Sequence, residues 1–92
     1  MIREPKYIEF SAPEPSATGR TQVWVVRAKG GAPLALGSVK WFGRWRCYAF
    51  FPLGDTVFER ECLRDIAEFC EARTVEHRAE RREAILNTRA SA

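Results

Sequence analysis

The sequence predicts an α+β domain, a three-stranded antiparallel meander packed against one helix, and three observations carry that reading. Thr21–Ala28 (TQVWVVRA) is dominated by β-branched and aromatic residues. Lys40–Pro52 (KWFGRWRCYAFFP) gathers six aromatic residues and three cations around one glycine. After Asp55 the apolar spacing changes from two residues to three and four, the period of a helix. At 92 residues there is room for one small domain, which buries only roughly 60% of the surface its unfolded chain exposes.

In chain order, Tyr7-Ile8-Glu9-Phe10 can add a short N-terminal strand, read with Tyr7 and Phe10 on one side and Ile8 on the other. Ser11–Gly19 (SAPEPSATG) is rich in Pro, Ser and Gly and reads as a loop or linker. Residues 1–19 therefore form a leading segment, and the folded body spans residues 20–74. Its first strand, Thr21–Ala28, ends at the turn residues Lys29-Gly30-Gly31. Leu34–Phe42 and Trp45–Phe51 come next, joined by Gly43-Arg44 as a two-residue type II′ turn.

That loop pairs Phe42 with Trp45, Trp41 with Arg46, Lys40 with Cys47, Val39 with Tyr48 and Ser38 with Ala49. One face then carries Gly37, Val39, Trp41, Tyr48 and Phe50, with Arg46 at its open end, and we assign it to the core. The other carries Ser38, Lys40, Phe42, Trp45, Cys47 and Ala49, a mixture of small, polar and cationic positions.

Thr56 with Glu59 has the form of a capping box, with Asp55 as a competing N-cap. In the ensuing helix, Phe58, Cys62, Leu63, Ile66, Ala67, Phe69 and Cys70 fall within one arc of about 180°. Beyond Arg73 the apolar stripe fails, because Glu80 falls in the same arc and Glu71–Glu83 is dominated by charge. Residues 75–92 are therefore a charged helical extension, with Ala84, Ile85 and Leu86 as a small apolar patch and a frayed tail from Asn87.

No apolar run approaches the ~20 residues of a membrane helix, and MIREPKYIEF lacks a signal-peptide core, so a cytoplasmic location is expected. The net charge of +3 and a pI near 9.0 favour polyanionic partners. Cys47, Cys62 and Cys70 make an odd count without tandem spacing, which argues against a disulfide framework and for reduced, buried thiols.

Metal binding would draw on these cysteines and His77. Cys62 and Cys70 lie about 12 Å apart along a helix and His77 roughly another 10 Å further, so they cannot share one ion. A nucleophilic cysteine needs an activating base, and His77, the one histidine, sits in a charged segment expected to be exposed. Glu61 and Asp65 share a helix face, but Arg60 and Arg64 beside them make an ordinary solvated charged surface. No glycine pattern cradles a phosphate. The expectation is a non-enzymatic protein without cofactor or metal.

Binding therefore carries the functional reading. Lys40, Phe42, Arg44, Trp45 and Arg46 cluster at the hairpin tip, and Arg27 and Lys29, with Arg20, are available from the preceding strand and turn. Such rings stack nucleobases, each worth roughly 1–3 kcal/mol, while the cations neutralise phosphates. The same residue types are also those of protein-interface hot spots. A core role accounts equally well for Trp41, Tyr48 and Phe50, and Arg46 opposite Trp41 can be an intrachain cation–π pair.

Val39-Lys40-Trp41-Phe42-Gly43, Trp45-Arg46, Tyr48 and Phe50-Phe51-Pro52, and further on Val57-Phe58, Cys62-Leu63 and Asp65-Ile66, resemble a family of small phage and prophage proteins of unassigned function. The resemblance spans Leu36–Phe69 and implies a mobile-element origin; it brings no catalytic motif. Small proteins of that setting include anti-CRISPR inhibitors, which this chain resembles in size and in the genomic setting so implied. DNA mimics among them tend to be acidic, whereas this chain is basic, so a steric blocker fits better than a mimic. The resulting expectation is an accessory protein that inhibits or modulates a host nucleoprotein complex in an anti-CRISPR-like way. The alternative is a single-stranded nucleic-acid-binding module using Lys40, Phe42, Arg44 and Trp45.

Overall fold

The computed structural model describes residues 5–30 and 34–91, with residues 88–91 described by backbone alone. Within them, strands β1 (Ile8–Phe10), β2 (Glu14–Pro15), β3 (Gln22–Ala28), β4 (Ala35–Phe42) and β5 (Cys47–Pro52) precede one helix, α1 (Arg60–Ser91). The strands pair antiparallel in the spatial order β1-β3-β4-β5, with β2 also on β3. The expected meander is β3-β4-β5, and α1 covers its Val39/Tyr48 face, so the protein is α+β as the patterning predicts. No helix among the described residues is long and apolar enough to cross a membrane.

The sheet begins at Ile8, ahead of Arg20, and Ser11–Gly19 carries a paired strand where its composition reads as linker. Glu14 and Pro15 pair with Val23 and Gln22. Serine hydroxyls and turn amides make this possible. Ser11 N donates to Val25 O at 2.9 Å, while Ser11 Oγ accepts from Val25 N at 2.8 Å. Ser16 N donates to Thr21 O and Gly19 N to Ser16 O, both at 2.9 Å, with Gly19 at φ +73°. Side-chain oxygens thus replace ladder partners, and Pro15 is tolerated on an edge strand.

The sidedness expected of the first strand is also corrected. Ile8 is 1% exposed and Phe10 stacks on Phe69 at a centroid distance of 3.8 Å, while Tyr7 faces out. A strand alternates with period two, so Ile8 and Phe10 share the buried face. At the other end of β3, Gly30 adopts φ +98° in the expected turn; Gly31 lies outside the described residues.

In the β4–β5 hairpin, Phe42 pairs with Cys47, Trp41 with Tyr48, Lys40 with Ala49 and Val39 with Phe50, a two-residue shift from the expected register. The type II′ turn is not formed. The loop is Gly43–Arg46, closed by Trp45 N to Phe42 O at 3.2 Å and Arg46 N to Gly43 O at 3.3 Å, and the left-handed residue is Arg46 at φ 53°. The expected pairing would have placed Arg46 on the core face beside Trp41. Instead Tyr48 sits edge-on to Trp41 at 5.3 Å and Arg46 stands in solvent. A left-handed non-glycine residue costs about 1–2 kcal/mol, less than burying an unpaired guanidinium. A slip of two preserves alternation, so the assignment of faces is unchanged.

The core joins Ile8, Trp24, Val26, Val39 and Tyr48 to Cys62, Ile66 and Phe69 of α1. Trp24 lies edge-on to both Tyr48 and Phe69 at 5.3 Å. The helix starts later than the capping box suggests. Glu59 is its N-cap: Glu59 Oε1 accepts from Cys62 N at 2.7 Å and Glu59 O from Leu63 N at 3.1 Å. The expected caps serve the preceding turn, with Thr56 Oγ1 donating to Leu53 O at 2.7 Å and Asp55 at φ 61°.

The buried side of α1 differs from the expected arc as well. Leu63 and Ala67 face solvent, Asp65 and Thr74 are buried, and Phe58 precedes the helix, edge-on to Phe50 at 5.1 Å. The reason is the path of the helix along the free edge of β5. Tyr48 N donates to Thr74 Oγ1 at 2.9 Å, and one turn later Arg78 Nη2 donates to Arg46 O at 3.1 Å. A helix that covers a strand edge needs hydrogen-bonding side chains where an amphipathic count asks for apolar ones. The helix continues past Arg73 and its backbone is helical to Ser91, through the tail expected to fray; Ala92 lies outside the described residues.

Candidate functional site

The four-residue loop of the hairpin divides the tip into two surfaces. On the sheet face away from α1, Trp45 is 68% exposed and meets the half-buried Phe42 edge-on at 4.8 Å, and Phe42 in turn meets Phe51 at 6.0 Å. Lys40 Nζ lies 4.4 Å from the centroid of the Phe51 ring. Arg44 is exposed in the loop. Lys40, Phe42 and Trp45 are thus brought together around Phe51 on the face that the alternation assigns to them, with Arg44 next to Trp45 in the loop.

Arg27 and Lys29 do not join this group. Arg27 pairs with Ala35 at the start of β4, whereas the tip lies beyond Phe42, a separation on the order of 20 Å along the strand. Lys29 Nζ donates to the Pro5 carbonyl beyond it. Arg46 parts company too: its left-handed backbone directs it to the helix side of the tip, away from Trp45.

On that helix side Arg20, Arg46, Arg78 and Arg81 line an open cleft of about 800 Å³, with Trp41 and His77 as its aromatic wall. The turn between β2 and β3 supplies Arg20, the hairpin loop supplies Arg46, and α1 supplies the other two. His77 is half-buried rather than solvent-exposed, 4.5 Å from Trp41 and 6.0 Å from Tyr48 between ring centroids. Three hydroxyls border the cleft in a chain, Thr21 Oγ1 donating to Ser16 Oγ at 2.9 Å and Ser16 Oγ lying 3.2 Å from Thr18 Oγ1.

The electrostatics of the cleft are asymmetric. Arg73, one turn before His77, is neutralised by Glu76 at 2.8 Å and lies over Phe69 at 5.1 Å, as part of the core rim. Arg20, Arg46, Arg78 and Arg81 have no carboxylate partner within salt-bridge distance among the described residues. Glu76 and Glu80 line a smaller adjoining cavity on the Trp24 side, which Arg20 and His77 share and which Arg46, Arg78 and Arg81 do not line. Sequence reasoning missed Arg78, Arg81, His77 and the hydroxyls, since a charged helix and a Ser/Thr turn carry no signal of converging.

The surroundings of Cys62 and Cys70 favour the neutral thiol. All three cysteines are free; Cys62 is buried, and Cys47 and Cys70 are half-buried. Burial, then the proximity of Cys47, pushes the Cys70 thiol up to about 11, and burial, then the Glu59 carboxylate, raises Cys62. Thiols so shifted are protonated at neutral pH. Among the described residues no group of three His, Cys, Asp or Glu side chains can hold a metal ion.

No protein-family model matches the chain, and no curated protein or solved structure matches it significantly.

Proposed function

We propose that this protein is a non-enzymatic binding module that lays a single nucleic-acid strand across the outer face of its sheet at the hairpin tip. The observation that carries this is the 68% exposed Trp45 beside Lys40 and Arg44, on a sheet face that α1 leaves open. Bases stack on Trp45, with Phe42 supporting the indole from its edge, and Lys40 and Arg44 neutralise phosphates. The positive net charge favours the same class of partner. Titration with a single-stranded oligonucleotide tests it: tryptophan fluorescence is quenched, the affinity falls steeply with salt, and Trp45→Ala abolishes the effect. Absence of quenching below high micromolar concentration sinks the reading.

A second reading is the accessory protein that inhibits a host nucleoprotein complex in an anti-CRISPR-like way. The exposed Trp45 flanked by Arg44 favours it, because Trp and Arg are the residue types that dominate protein-interface energetics. Here a purified effector complex is retained by the wild type and lost with Arg44→Glu. Retention of neither, or of both equally, counts against it.

A further inference from the structure

We propose that the arginine cleft on the helix side of the hairpin tip is a binding site for a nucleotide phosphate group, separate from the outer sheet face. Four arginines from three segments remote in sequence line one cleft, and none has a carboxylate within salt-bridge distance among the described residues. Guanidinium forks match phosphate oxygens two at a time, so a cluster of this kind selects a dianion with several acceptor oxygens over a single carboxylate.

The cluster is built rather than scattered. The Arg78 guanidinium is anchored by its bond to Arg46 O at 3.1 Å, which ties α1 to the hairpin loop and holds two of the four residues in register. On the opposite wall Arg20 N donates to Thr18 Oγ1 at 3.3 Å, fixing the turn that presents the Arg20 side chain.

The size of the cleft points to more than a bare phosphate. Its volume of about 800 Å³ lies in the range of small-molecule sites, ~300–1,000 Å³. Trp41 and His77, 4.5 Å apart between centroids and tilted by 49°, bring two ring faces to the cleft on one of which a base stacks, and Ser16, Thr18 and Thr21 offer hydroxyls to a sugar or a phosphate oxygen. The ligand is therefore a phosphorylated nucleoside, either free or as the 5′ end of a strand. The two sources share the terminal phosphate and differ in whether further nucleotides are attached to the nucleoside that bears it.

Isothermal titration with adenosine monophosphate, adenosine, and a short oligothymidylate carrying either a 5′-phosphate or a 5′-hydroxyl distinguishes them. Adenosine monophosphate or the 5′-phosphorylated strand binds the wild type, and the unphosphorylated counterpart binds at least about tenfold more weakly. Arg81→Ala and Arg20→Ala each weaken the phosphorylated ligand by about tenfold or more, Arg81→Lys by less, and the exposed Arg64→Ala leaves it unchanged. Binding of the free nucleotide alone assigns the cleft to a mononucleotide, and preference for the phosphorylated strand alone assigns it to a strand end. Equal affinity for phosphorylated and unphosphorylated ligands overturns the proposal, as does binding indifferent to Arg20→Ala and Arg81→Ala. Strand binding lost in Trp45→Ala but retained in Arg81→Ala, without dependence on the 5′-phosphate, overturns the cleft while leaving the outer-face reading standing.

Discussion

The backbone N–H of Tyr48 donates to the Thr74 hydroxyl at 2.9 Å, and that hydroxyl donates to the Cys70 carbonyl at 2.8 Å. One side chain therefore pairs an amide on the free edge of the sheet while keeping its own proton satisfied within the helix. Thr74→Val removes the acceptor, preserves the shape and leaves the Tyr48 amide buried and unpaired, so it costs about 1–3 kcal/mol in urea unfolding. Thr74→Ser keeps the oxygen and retains most of that stability.

A second prediction concerns Gly37, where β4 passes under β5. A Cβ there would lie 2.5 Å from Phe51 O and 2.7 Å from Phe50 Cε1. The Phe50 ring can shift; the Phe51 carbonyl is held by its own strand. Gly37→Ala therefore lowers stability by about 1–3 kcal/mol, measured by chemical denaturation.

Two aromatic residues separate core from surface. Phe69 stacks on Phe10 and meets Trp24 edge-on, so Phe69→Ala costs about 3–5 kcal/mol, enough to unfold a domain this small under ordinary conditions. Trp45→Ala stays within about 0.5 kcal/mol of wild type, because the indole is mostly in solvent. Circular dichroism melts of the two variants distinguish the roles directly.

The N-cap of α1 gives an acid dependence. The Cys62 amide bonded to the Glu59 carboxylate holds its pKa below the ordinary 4.5. A carboxyl depressed in the folded state contributes stability that is present above its unfolded pKa and lost as pH falls through the lower folded value. Wild-type stability therefore declines below pH 4.5, and Glu59→Gln, which keeps an acceptor oxygen but does not titrate, declines less over that window. Urea midpoints measured down to about pH 2 check this.

Cys70 gives the alkaline counterpart. Its thiol is raised from 9.0 to about 11 by burial and by Cys47 beside it, so the fold favours the neutral form. That contribution is present below pH 9.0 and is lost as pH rises toward about 11. Iodoacetamide at pH 9.0 alkylates Cys70 far more slowly in the folded protein than in urea, and Cys70→Ala removes this part of the alkaline loss.

Alternation made the sheet legible residue by residue. Val39, Tyr48 and Phe50 face α1 and Lys40 and Phe42 face away, and this survived a register error because two residues is the period of a strand. The helix was legible as an element but not in its bounds or its buried arc. Glu59 caps it because Thr56 is bonded to Leu53 O, and Thr74 is buried because Tyr48 N needs an acceptor; neither partner is adjacent in sequence. Ser11–Gly19 read as linker because propensity cannot register the amide of Val25 waiting for Ser11.

The amino-acid sequence alone determined the α+β class, the strand positions of the meander and the division of its aromatic residues between core and surface, since these arise from local periodicity and the cost of burying charge. Only the tertiary structure decided that Arg20, Arg46, Arg78 and Arg81 share one cleft. The helix is held against the β5 edge and the hairpin loop by Tyr48 N on Thr74 Oγ1 and Arg78 Nη2 on Arg46 O, bonds between segments more than twenty residues apart that no local pattern records.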